Sequence, residues 1–161
     1  MTAILPPRDS FLAAGEIAPD FTLKDQNRND WTLSENVKKG DVVLCFFPMA
    51  FTGVCSTEMK CVNDEMSRWE AMGAQVVGIS CDSFAVLKAW ADSMNLKQTL
   101  LADMHRQVCK GYGVYWPDLN VSGRATIVIG KSPEGVCRVT WAQKREIKQA
   151  MNFDEVLERM S

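Results

Sequence analysis

Two apolar runs, DVVLCFF at 41–47 and AQVVGIS at 74–80, are almost free of polar interruption. A strand with one wet face alternates in polarity, so uninterrupted runs of this length predict strands covered on both faces. Between them, residues 55–72 follow a helical period. Met59, Val62, Met66 and Trp69 fall within about 80° of one another at about 100° per residue, and Cys55 lies on the same stripe. Residues 83–95 repeat the pattern with Phe84, Leu87, Trp90 and Met94. Strand, helix, strand, helix predicts an α/β fold.

The flanks add two hairpins and a terminal helix. Residues 1–18 read as an arm; APDFTL then begins an extended segment at Pro19, and DQNRND turns it back into WTL. RQVCKGYGV, after TLLAD, reads as a short helical piece. ATIVIG and GVCRVTW flank the turn-forming KSPE, which predicts a second hairpin. NFDEVLERM begins at a candidate Asn152 cap and places Phe153, Val156, Leu157 and Met160 on one stripe. There are no repeats, linkers or low-complexity tracts, so residues 1–161 are expected to form one domain.

Composition narrows the partners. Lys and Arg number 18 against 20 Asp and Glu, a formal charge of -2, so there is no basic field for nucleic acid or an anionic membrane. No stretch approaches the roughly 18 apolar residues of a membrane span, and the N-terminus lacks a signal-peptide pattern, so a cytoplasmic protein is expected. Most of the 6 cysteines are then expected to be free thiols rather than a disulfide framework. No C-x2-C pair is present, and the nearest histidine spacing is His105 to Cys109, so the sequence offers no zinc motif. No cofactor or metal is expected.

The junction PMAFTGVC, residues 48–55, is where chemistry enters. Pro48 stops the buried strand, and Cys55 follows in the first turn of the next helix, directed inward. There, unpaired N–H groups and the positive end of the macrodipole favour an anion. A thiol of pKa about 8.5 is about 3% ionised at neutral pH, whereas one lowered to about 6 is about 90% ionised, a preference worth about 3.4 kcal/mol. A helix terminus supplies up to about 2 kcal/mol of this, so a nearby cation is required as well. No Lys or Arg lies between Lys39 and Lys60, so the cation must come from elsewhere in the fold. Taken singly, Pro48 reads as a strand stop, Thr52 as a helix cap and Cys55 as a core thiol.

Together, Pro48, Thr52 and Cys55 match the P-x-x-x-[TS]-x-x-C motif of peroxiredoxins. The likeness extends through APDFTL, VVLCFFPMAFTGVCSTEM, VVGISCDS, LLADMHRQVCKGYGV and RATIVI. It most resembles the alkyl hydroperoxide reductase E type, with the bacterioferritin-comigratory-protein type second. The resemblance implies a thioredoxin-like fold, a central mixed β-sheet flanked by helices, with an N-terminal β-hairpin extension. It implies a thiol-dependent peroxidase acting on hydrogen peroxide and organic hydroperoxides, with Cys55 becoming a sulfenic acid. Thr52 would offer its hydroxyl to the thiolate and peroxide, and Pro48 would shield the sulfur from water. Arg124 would supply the missing cation, and Glu58, in the helix's first turn, would orient it. Thioredoxin, a glutaredoxin-like protein or a low-molecular-weight thiol would be the reductant, and a homodimer is compatible with the resemblance. A peroxide-responsive sensor or chaperone, or a thiol–disulfide oxidoreductase, would be the alternative; the oxidoreductase would need a C-x-x-C that GVCSTEM lacks.

Cys61 is the candidate resolving cysteine. Six residues of helix separate Cα atoms by about 10 Å, however, whereas a disulfide rarely tolerates more than about 7 Å. In the comigratory type the resolving cysteine often lies five residues after the peroxidatic one, and that position here is Lys60. A cycle completed by an external thiol is favoured. Cys45, Cys81 and Cys137 read as structural, Cys109 as an exposed candidate, His105 as surface or structural, and Trp90 and Trp116 as core.

Overall fold

In the computed structural model, which describes residues 5–146 and 152–160, Asp25 caps the first turn by accepting from the N–H groups of Asn27 and Asn29. This closes the expected hairpin, β1 (Thr22–Asp25) antiparallel to β2 (Asp30–Thr32). A short helix, α1 (Leu33–Val37), leads to β3 (Val42–Phe46), every residue of which is buried. Alternation then sends Val42, Leu44 and Phe46 into one core and Val43, Cys45 and the following Phe47 into the other.

The helix expected over 55–72 is two. α2 runs Gly53–Asp64 and α3 runs Met66–Ala71, with Glu65 at φ -99° and ψ 10° between them. Asn63 and Asp64 are poor helix-interior residues, and the Asn63 side chain is drawn away to accept from the Lys97 N–H at 2.9 Å. The break still leaves Trp69 in the core at 1% exposure. β4 (Gln75–Ser80) follows, then α4 (Phe84–Met94), capped by Ser83 and closed by Asn95 in the left-handed region.

β5 (Thr99–Ala102) and α5 (Gln107–Gly111) precede a small ribbon of β6 (Tyr115–Trp116) and β7 (Val121–Ser122). The second hairpin is β8 (Arg124–Ile129) and β9 (Val139–Arg145), with an irregular register at Val128/Ile129. β9 begins two residues after Cys137, which the sequence placed inside the strand. The Cys137 carbonyl accepts instead from the Ala18 N–H of the N-terminal arm at 2.8 Å. α6 (Phe153–Met160) starts at Asn152, whose Oδ1 accepts from the Glu155 N–H, as expected of a cap. Val156 and Leu157 are buried and Met160 packs beside them; the Phe153 side chain lies outside the described residues.

The strands order β2-β1-β5-β4-β3-β8-β9 in one mixed sheet, with β3, β4 and β5 parallel and the remaining neighbours antiparallel. Residues of α2, α3, α4 and α6 cover one face; α1, α5 and arm residues such as Leu12 cover the other. Gly78 of β4 lets α2 settle closely, since a Cβ there would lie 3.0 Å from both Met59 Sδ and Phe47 Cε1. The entrance of α2 therefore sits at the carboxyl end of β3. Phe46 pairs with Ala125 in that register, which brings the start of β8 to the same place.

Candidate active site

Thr52 is the N-cap of α2 and Cys55 its third residue. The first internal helical bond here is Ser56 N–H to the Thr52 carbonyl at 2.8 Å, so Cys55 belongs to the turn whose N–H groups lack helical acceptors. Its side chain is 1% exposed. The cation that the local sequence lacks is Arg124, from the first position of β8: its Nη2 donates to Cys55 Sγ at 3.0 Å. The contact sets a cation against a buried sulfur, out of bulk water.

Arg124 is itself held. Its Nη1 lies 3.4 Å from Glu58 Oε2, and Arg145 Nη2 reaches the same oxygen at 3.4 Å. Arg145 also donates from Nη1 to Thr126 Oγ1 at 2.7 Å. Arg124 and Arg145 face each other across the β8–β9 register, and the carboxylate relieves their repulsion. One carboxylate thus stands between two guanidiniums in a buried cluster beside the Cys55 sulfur.

Two details differ from expectation. Glu58 lies in the second turn of α2, not the first. Contact with β8 and β9 fixes its use, because at 0% exposure it must meet cations that enter from the sheet. The Thr52 hydroxyl does not donate to Cys55; it donates to the Met49 carbonyl at 2.7 Å and lies on the exposed lip of the site with Phe51 and Gly53. Pro48 is buried just beyond β3. The loop between has an anchor that sequence reading missed: Asp82 Oδ2 accepts from the Ala50 N–H at 2.8 Å and from Ser80 Oγ at 2.7 Å.

Arg145 was also missed. WAQKRE looks like a solvated strand end, and only the pairing register turns its arginine inward; the signal available was hairpin arithmetic, blurred by the irregularity at Val128/Ile129. Beside the two arginines, a cavity of about 500 Å³ is bordered by Tyr115, Trp116 and Lys144. Trp116 is thus half-buried rather than core, because its ribbon is short and the residue lines that cavity.

The remaining thiols separate clearly. Cys61 is half-buried in the same continuous helix as Cys55, so helical geometry holds the pair apart. Cys45 is fully buried, and burial pushes its thiol far up, assisted by the Glu58 charge. Burial and the Asp20 charge push Cys137 up to about 11. Cys109 is not exposed: its face of α5 packs against the sheet core, with Sγ 3.8 Å from Cys81 Sγ. His105 is exposed.

Residues 14–138 match the family model described as the AhpC/TSA family. The chain belongs to this family. It is 35% identical over 123 residues to alkyl hydroperoxide reductase E of Mycobacterium tuberculosis, covering 75% of this chain and 80% of that protein. Against peroxiredoxin Bcp of Escherichia coli it is 31% identical over 144 residues, covering 89% and 86%. Among solved structures, peroxidoxin BcpB of Mycobacterium tuberculosis superposes with a TM-score of 0.81 at 26% identity, covering 92% of this chain and 96% of that one. The reduced 2-Cys peroxiredoxin of Plasmodium vivax gives a TM-score of 0.83 at 26% identity, covering 92% and 80%. The fold is accordingly thioredoxin-like, and the protein is a peroxiredoxin, a thiol-dependent peroxidase that takes a peroxide substrate and a thiol reductant.

Proposed function

We propose that Cys55 is the peroxidatic cysteine and that a thiol from outside the chain reduces it. The observation that carries this reading is the 3.0 Å contact between Arg124 Nη2 and the buried Cys55 Sγ, at a helix entrance and behind an exposed lip. The thiolate attacks the distal oxygen of the hydroperoxide. The O–O bond breaks, the sulfur becomes a sulfenic acid, and the alkoxide or hydroxide that leaves takes a proton. Arg124 shifts from neutralising the thiolate to stabilising charge on the departing oxygen, an electrostatic role that needs no reorganisation when Glu58 already fixes the guanidinium. Thr52, by turning its hydroxyl from Met49, would hold the peroxide in line, and Pro48 would keep water from the sulfur.

An external reductant is favoured because Cys61 is separated from Cys55 by a continuous stretch of α2. A first external thiol condenses with the sulfenic acid and releases water; a second frees Cys55 and leaves as a disulfide. Thioredoxin, a glutaredoxin-like protein or a low-molecular-weight thiol each supplies this chemistry, and the free cysteines suit a reducing, cytoplasmic setting. No helix among the described residues is long and apolar enough to cross a membrane.

Intact mass after one equivalent of hydrogen peroxide tests both halves. The reduced protein is expected to gain one oxygen, and Cys55→Ser to stay unmodified and to lose turnover with an added thiol. Oxidation of Cys55→Ser at the wild-type rate would remove Cys55 from its role; loss of two hydrogens in wild type, mapped to Cys55 and Cys61, would replace the external thiol.

A further inference from the structure

We propose that Cys81, Asp103 and Cys109 form a binding site for a thiophilic divalent cation of the zinc type. The three come from separate places in the chain: Cys81 follows β4, Asp103 follows β5, and Cys109 belongs to α5. Their ligand atoms nevertheless lie within 4.8 Å of one another, and all three residues are buried, at 7%, 1% and 0% exposure. This cluster lies in the core on the face of the sheet opposite Cys55.

The spacing of the sulfurs is the first argument. They stand 3.8 Å apart. Two thiolates on one tetrahedral zinc, at about 2.3 Å each, are separated by about 3.8 Å, so the sulfur separation already matches. A disulfide would require them to close to about 2.05 Å.

The carboxylate is the second. Asp103 Oδ1 accepts from the Val108 N–H at 3.1 Å and Oδ2 from the Cys109 N–H at 2.9 Å. The two amides fix the plane of the group, as outer-shell donors do at metal sites, and the carboxylate also shares a hydrogen bond with the Cys109 thiol that a metal ion would replace. Burial raises the Asp103 pKa, and the shared hydrogen bond with Cys81, burial and the Asp103 charge push the Cys109 thiol far up. Cation binding takes the two sulfurs as thiolates and the Asp103 group as a carboxylate, so any proton they carry is released. A divalent cation entering there forms two metal–sulfur bonds and one metal–oxygen bond. Two thiolates, one carboxylate and a divalent cation together carry one negative charge, a small charge to bury.

Access is the third. A cavity of about 260 Å³, with Asp103 and Val108 in its wall and His105 at its border, adjoins the cluster. It has room for water, and a water ligand would complete the three-protein-ligand set typical of an open zinc site. Two thiolates favour zinc-like cations over magnesium or calcium, which prefer oxygen. Local spacing could not reveal this site, because no two of its members lie within five residues of each other.

The test uses reduced, chelator-stripped full-length protein loaded with Zn2+, desalted and assayed for metal. Wild type and Cys61→Ser are expected to retain a single equivalent. Cys81→Val and Cys109→Ala, chosen to preserve an apolar fit, are expected to lose affinity by more than the about 10–100-fold that removal of an outer-shell partner costs. Peroxidase turnover in these two variants reports an intact fold, since neither position belongs to the peroxide site. Wild type alone gives a second reading: under mild denaturant, Zn2+ should protect Cys81 and Cys109 from alkylation while Cys61 still reacts. Failure to retain zinc, equal retention by the Cys81→Val/Cys109→Ala double variant, or protection of other cysteines would each overturn the proposal.

Discussion

At the scale of residues, the site is a short relay of charge: Cys55 against Arg124, Arg124 against Glu58, and Glu58 against Arg145. Removing the carboxylate is more disruptive than its position behind the sulfur suggests. Glu58→Gln leaves two buried guanidiniums facing each other on β8 and β9, and breaking such a buried set by removing one partner costs about 3 kcal/mol or more. A lowered urea midpoint and a roughly tenfold slower reaction with peroxide are expected; a variant as stable and fast as wild type would show that the relay is incidental. The family resemblance pointed to Cys55, Thr52, Pro48, Arg124 and Glu58, and the structure brings Cys55, Arg124 and Glu58 into contact. Arg145 was not legible: in WAQKRE it resembles a solvated charge, and its inward direction depends on pairing with Arg124 across an irregular hairpin.

At the scale of elements, the loop from β3 to α2 matters most. It carries Pro48 and Thr52 past a strand end and is fastened at Ala50 by Asp82, beyond β4. The bond joins a carboxylate to a backbone N–H, an interaction worth about 1.5–3 kcal/mol. Asp82→Ala is therefore expected to lower stability by about that amount and to slow peroxide attack about tenfold by loosening the lip. Stopped-flow oxidation beside a denaturation curve separates the two effects, and an unchanged oxidation rate would confine Asp82 to folding. The strands and helices were readable from apolar periodicity, since β3 and β4 are covered on both faces and α4 has one apolar stripe. The break at Glu65 was not, because Trp69 continues the period while Asn63 leaves it for a tertiary partner at Lys97.

At the scale of the whole molecule, several acidic groups are held protonated inside the two cores. Burial raises the thiols of Cys45 and Cys137 and the phenol of Tyr112, and the hydrogen bond with Cys81, then burial, raises that of Cys109. A group whose folded pKa lies above its unfolded value stabilises the fold fully below the unfolded pKa and loses that contribution as pH rises toward the folded one. Stability under reducing conditions should thus fall steadily above about pH 8.5, where free thiols begin to ionise, with the Cys137 part lost by about pH 11. Urea midpoints that stay flat across this range would contradict it. Sheet order is the feature periodicity alone could least supply: placing β8 beside β3, and so Arg124 beside Cys55, is a long-range choice that only the family resemblance implied.

The state of the Cys55 sulfur is tested most directly by the thiolate ultraviolet absorbance of reduced wild type minus that of Cys55→Ser, followed across pH. If the buried arginines hold the sulfur as an anion, the difference is a full thiolate already present at neutral pH, and it diminishes only on acidification. A difference that stays at zero until the alkaline range of ordinary thiols would contradict a peroxide site built on that contact.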